Sequence, residues 1–168
     1  RELGRVVVVA KGAKRPYSQL RPVLLPFQRL VVTLGRTAGD EAAEIHPLRS
    51  AEWGGGLPLT RGDALLSGFY LNELLLRLLA RQDPHPRLFD AYADTLPELD
   101  RADDARTPAA LRSFELVLLR EVGLLPELAV VTSTQRAVEA DAPYALHAEA
   151  GVVGAAPGEP ALRGRTLQ

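Results

Sequence analysis

The 168-residue chain contains no cysteine and no methionine. Without thiols it forms no disulfide and no thiolate metal site, which fits a reducing compartment. Histidine is almost as scarce: His46, His85 and His147 stand apart, none at a ligand spacing with another, so no metal and no cofactor is expected. No apolar run approaches the roughly 18 residues of a membrane span, and the longest apolar-rich stretch, Leu74 to Ala80, is interrupted by Arg77. A basic segment leading into an apolar stretch is also absent at the start, so no secretory signal is read. Neither GxxxxGKS/T nor GxGxxG occurs, which removes the usual phosphate cradles of nucleotide hydrolysis and dinucleotide binding.

Acidic residues are missing from one region in particular. The first 36 residues carry eight of the twenty basic residues (Arg1, Arg5, Lys11, Lys14, Arg15, Arg21, Arg29 and Arg36) against Glu2 alone. This segment is therefore +7 and the remainder −8, although the whole chain is nearly neutral at −1. Such polarisation, with Lys11, Lys14 and Arg15 gathered around Gly12 and followed by Tyr17 and Ser18, is the pattern of a polyanion-binding face. Glycine lets backbone approach a phosphate closely, and a ring beside cations can stack a base of a single strand. The competing reading is an edge strand whose cations discourage edge-to-edge pairing.

Hydrophobic patterning gives an α+β chain. Strands are expected over Arg5–Ala10, over Leu24–Leu34 with Pro26 confining pairing to its second half, and over Ala42–Glu52. Short strands at this spacing suggest a small barrel or curved sheet. After Gly54-Gly55-Gly56, read as a linker, the period becomes helical. Thr60-Arg61-Gly62-Asp63 fits a capping box opening a helix over 61–81. A second helix covers Arg87–Leu99, disturbed by Pro97. Thr107-Pro108, read as N-cap and first helical residue, starts a third that ends at Gly123. Beyond Leu128, Ala129–Thr132 and Tyr144–Val153 are candidate strands, and Pro157–Gln168 reads as a loop or frayed end. Three segments result: 1–54, 57–127 and 128–168.

No catalytic constellation emerges, so no enzymatic activity is expected. The five serines lack a strand–turn–helix elbow, and Asp103-Asp104 and Asp90/Asp94 read as solvated carboxylates rather than acid/base pairs. Asn72 and Glu73 interrupt an apolar helix; both are read as polar-face residues, or else as groups bonded to a neighbouring element. Arg112 and Arg120, eight residues apart in the third helix, are either ordinary surface charge or a cationic rim for an acidic peptide.

The order Gly4-Arg5, Val9-Ala10-Lys11-Gly12-Ala13-Lys14-Arg15, Leu25-Pro26-Phe27, Ala51-Glu52, Gly68-Phe69-Tyr70-Leu71-Asn72-Glu73-Leu74-Leu75, Leu88-Phe89, Phe114-Glu115, Leu118-Leu119 and Gly123 resembles the bacterial recombination mediator family RecO. The resemblance implies an N-terminal OB-fold barrel followed by a helical domain. It implies binding to single- and double-stranded DNA, annealing of complementary strands, and loading of RecA, with RecR, onto strands covered by single-stranded DNA-binding protein. It implies neither catalysis nor a nucleotide, and a place in the bacterial cytoplasm at the nucleoid. The expected DNA-binding residues are Arg5, Lys11, Lys14, Arg15, Tyr17, Arg21 and Arg29. Family members begin about two strands earlier, so the barrel is expected to be incomplete here, and their C-terminal continuation is expected to be shortened. Some members carry a four-cysteine zinc site; Ala129 and Thr132 stand where one CxxC pair would fall, so zinc is not expected to bind.

Overall fold

The computed structural model describes residues 1–35, 45–56, 62–101 and 106–168. Arg36, the first two members of the Thr60–Asp63 capping box, Asp103-Asp104 and the start of the expected third strand lie outside them. The architecture is mixed α and β, and it divides into two compact units, Arg1–Leu118 and Leu119–Gln168.

The first unit begins with β1 (Val7–Val9), β2 (Leu30–Leu34) and β3 (Ile45–Trp53), arranged β1-β3-β2. β1 runs parallel to β3, pairing Val7 with Ile45 and Val9 with Pro47, whereas β2 is antiparallel to β3. The β2–β3 register slips between Thr33 and Leu34, which pair with Ser50 and Leu48 and leave Arg49 as the extra residue. Such a bulge bends the strand. Leu48 and Ala51 are buried from this sheet. The second strand is shorter than its sequence suggests. Residues up to Pro26 close consecutive turns, and Phe27 adopts a left-handed φ of 65°, so pairing starts only at Leu30.

Three helices follow: α1 (Gly62–Leu78), α2 (Pro86–Leu99) and α3 (Arg106–Glu121). Their 3.6-residue spacing buries Ala64 and Leu71, Leu88, Leu96 and Leu99, and Phe114 and Leu118. α2 continues through Pro97, because that residue sits in the last turn while Leu96 and Leu99 on either side are both buried. α3 starts at Arg106, which places Thr107 inside the first turn and not at the N-cap. Gly123 ends it as expected, with φ 74° and its N–H donating to the Arg120 carbonyl.

The two polar residues of α1 have different fates. Glu73 pairs on the surface with Arg77 one turn later. Asn72 is half-buried, and its Oδ1 accepts the phenol of Tyr92 from α2. Burial pushes the Tyr92 phenol up to about 12. The unfolded phenol ionises near its ordinary 10, so this contribution to stability is complete below pH 10 and is lost as pH rises through about 12. Tyr92→Phe should cost roughly 1–3 kcal/mol at neutral pH by orphaning the Asn72 acceptor. It should also flatten the loss of stability between pH 10 and 12, as followed by denaturant titrations at several pH values.

The second unit holds β4 (Val130–Val131), β5 (Arg136–Ala137), β6 (Pro143–His147), β7 (Gly151–Gly154), β8 (Leu162–Arg163) and the short α4 (Gly164–Leu167). β4 and β5 form one hairpin; β6 lies between β7 and β8 in a second sheet. Val138, Tyr144, Val152 and Leu167 form its core. The last twelve residues are therefore not frayed. The buried Leu167 side chain and the Gln168 amide, which donates to the Val138 carbonyl at 2.9 Å, tie them down. Where some family members are expected to carry a CxxC pair, the Thr132 N–H donates to the Val152 carbonyl and its Oγ1 accepts the Val152 N–H, both at 2.9 Å.

Candidate nucleic-acid interface

Between β1 and β2 the chain descends through linked turns. The N–H groups of Ala13, Arg15, Ser18 and Arg21 donate to the carbonyls of Ala10, Gly12, Arg15 and Ser18 at 3.0–3.3 Å. Gly12, at φ 78°, supplies the left-handed third residue of the first of these turns. The Arg15 side chain folds back over it, 3.6 Å from where a Cβ would stand. No acidic residue lies anywhere between Glu2 and Asp40, and both lysines of the chain, Lys11 and Lys14, are in this stretch.

The structure sorts the seven of these cations that lie within the described residues into two kinds. Arg1 forms an ion pair with Asp90 of α2 at 2.6 Å, and its guanidinium holds the Asp90 carboxyl below the usual carboxylate range. Arg5 donates from Nε and Nη2 to the Leu79 carbonyl at 3.2 and 3.0 Å, capping the end of α1. Its own carbonyl accepts the Gln82 N–H, so it fastens β1 to the helical connection and is not a surface cation. Arg29 is exposed, with its guanidinium 5.9 Å from the centre of the Phe89 ring.

Lys11, Lys14, Arg15 and Arg21 are exposed, and among the described residues none of them forms an ion pair. Two of them meet: Lys14 and Arg21 line one cleft of about 400 Å³ with Ala13 and Leu24. Arg21 also lines the neighbouring cleft, of about 580 Å³, with Tyr17 and Ser18. Tyr17 is 95% exposed, so neither face of its ring is covered by a described residue. The result is an open surface that offers positive charge, a ring and a hydroxyl side by side.

Arg112 and Arg120 make no such surface. Arg112 pairs with Glu115, whose carboxylate also accepts the Tyr70 phenol at 2.7 Å and raises that phenol above its ordinary value. Arg120 is exposed in the last turn of α3. Among the described residues no group of three or more His, Asp or Glu side chains is placed to hold a metal, and no helix is long and apolar enough to cross a membrane. Sequence reasoning did not single out Phe27, Phe89 or Asp94 as site residues, although they share a third cleft with Arg29. Phe89 looks like any helix-face aromatic until the fold brings Arg29 over it.

A family model described as recombination protein O, C terminal, matches residues 59–157. The chain belongs to the recombination protein O family. That match takes in α1 to α3 and most of the second unit but not the cationic turns, which whole-chain relatives do cover. A protein of Variovorax paradoxus named DNA repair protein RecO is 56% identical across 100% of this chain and 65% of its own length. RecO proteins so named from a Polaromonas species and from Acidovorax ebreus are 55% and 56% identical, each across 90% of this chain and 59% and 60% of their own lengths. The chain thus spans about 59–65% of these RecO relatives.

Proposed function

We propose that this chain is the DNA-contacting and helical portion of a DNA repair and recombination mediator. It binds single- and double-stranded DNA, anneals complementary strands, and acts with RecR to load RecA onto strands covered by single-stranded DNA-binding protein. The bent β1-β3-β2 sheet is then part of an OB-type barrel, and the protein works at the bacterial nucleoid. The observation that carries this reading is the set of four exposed cations on the turns between β1 and β2, in no ion pair among the described residues and adjoining Tyr17. Such a surface tracks phosphates without reading base edges, which suits a mediator that must act on any sequence. No bond is made or broken in this activity, so no nucleophile or metal is required. Arg5 enters the proposal as the residue that anchors β1, and contact falls to Lys11, Lys14, Arg15, Arg21, Tyr17 and Arg29.

Four phosphate contacts imply a slope of log K against log salt of about −3 on a single strand. Raising salt from ~50 to ~200 mM should therefore weaken binding roughly 50-fold, measured by fluorescence anisotropy with a labelled oligonucleotide. A flat response would remove phosphate contact from the proposal. The mediator role is tested by annealing of complementary strands with and without single-stranded DNA-binding protein. Tighter binding to RNA without annealing would point instead to an RNA-binding module, and absence of any nucleic-acid binding to a helical protein scaffold.

A further inference from the structure

Beside the cationic turns the first unit holds a second, more enclosed feature. A cleft of about 370 Å³ lies between Phe27–Arg29 on one side and α2 on the other. It is within the range of pockets that take a small organic ligand. Its walls are aromatic: Phe27, which stands edge-on to Phe69 at 5.0 Å; Phe89, beneath the Arg29 guanidinium; and Tyr92. Holding a bulky residue such as Phe27 at φ 65° is costly, and strain of this kind concentrates at binding sites.

The polar groups at this cleft are complementary to one another. Tyr92 takes the carbonyl oxygen of Asn72, while the Asn72 amide nitrogen donates to no described residue. Asp94 lines the same space, exposed and with no ion pair among the described residues. Aromatic faces, one amide donor, one carboxylate acceptor and a guanidinium at the rim match a base with its ring stacked, its carbonyl or ring nitrogen facing Asn72 and its exocyclic amine facing Asp94. A base within a duplex has both faces stacked and this edge paired, so only an unpaired base fits. Gln28 lies seven positions after Arg21, a reach of at most about 25 Å, so one short strand spans both features.

From this we infer that the Phe27–Phe89–Asp94 cleft captures one unpaired nucleobase of a strand whose phosphates lie along the Lys14–Arg21 surface. The inference rests on the proposed DNA binding and adds to it a subsite specific for single strands. It is tested with the whole chain and two oligonucleotides of equal length, one carrying bases and one fully abasic. Stacking of a base on a protein aromatic is worth about 1–3 kcal/mol, or roughly 5- to 150-fold, and the native chain should prefer the base-bearing strand by a factor in that range. Phe89→Leu keeps the apolar bulk and removes the ring; it should erase most of the preference while leaving abasic affinity unchanged. Asp94→Asn, at the exposed rim, should lower affinity for oligo(dC) more than for oligo(dT), and needs no change to the core. If both variants keep the native preference, or if Tyr17→Ala alone abolishes it, the base sits elsewhere and the inference fails, while phosphate binding stands. If neither strand binds, the DNA-binding reading falls as well. Chemical-shift changes at the cleft caused by N-acetylphenylalaninamide but not by cytidine would overturn the assignment in favour of a protein side chain.

Discussion

Lys11→Glu/Lys14→Glu/Arg15→Glu should lower affinity for a single-stranded oligonucleotide by roughly 500-fold at ~50 mM salt. The estimate follows from counterion release: each lost contact removes about 0.7 from the slope of log K against log salt, so three contacts account for nearly three decades at that concentration. The slope itself should fall from about −3 to about −1. These side chains are exposed and, among the described residues, make no ion pair, so their replacement leaves the fold alone. Thermal melting of the variant should match the native protein. The glutamine triple separates lost attraction from added repulsion and should fall between the two. Unchanged affinity in the glutamate triple would leave these cations as guards of a sheet edge, the reading that the sequence also permits.

The second large effect concerns stability. Gly151→Ala should unfold the second unit or lower its stability by roughly 2–4 kcal/mol, combining left-handed strain with overpacking. Gly151 has φ 67°, and a Cβ there would stand 2.2 Å from Thr132 Oγ1. That hydroxyl cannot easily turn away, because it accepts the Val152 N–H. The unit has only 50 residues and a core of four buried side chains, so a loss of this size is a large share of what it has. Pairing Gly151→Ala with Thr132→Ala should be less harmful than the two losses added, since the second change relieves the overlap that the first creates. Additive effects would show that the two residues do not press on each other in solution. Hydrogen exchange at Val152 and Val138 reads the unit directly.

Much of the local structure is legible from pattern alone. β-branched runs give β1 and β2, apolar residues at helical spacing give α1 to α3, and Gly123 stops α3 where a C-terminal glycine should. Pairing is less legible. Nothing in Val7–Val9 says that it lies parallel to Ile45–Pro47, because that partner is set by the whole unit and not by local preference. The terminal segment is illegible for a related reason: its proline and glycine content signals a loop, and only the burial of Leu167 among Val138, Tyr144 and Val152 makes it part of a core. For the candidate site, charge marks a segment but cannot divide it. Arg5 and Arg21 look alike in the sequence; one caps a helix and the other faces solvent between two clefts.

The linked turns between β1 and β2 bear on how such a surface discriminates among ligands. The amides of Ala13, Arg15, Ser18 and Arg21 are already committed to carbonyls within three residues of themselves. A phosphate arriving here is therefore met by long, mobile lysine and arginine side chains and not by those fixed backbone donors. Flexible tips accept anions at many spacings, so a strand can shift past one contact at a time without the whole grip being released. On the proposed reading, a loop that grips DNA in this way is also suited to letting it slide.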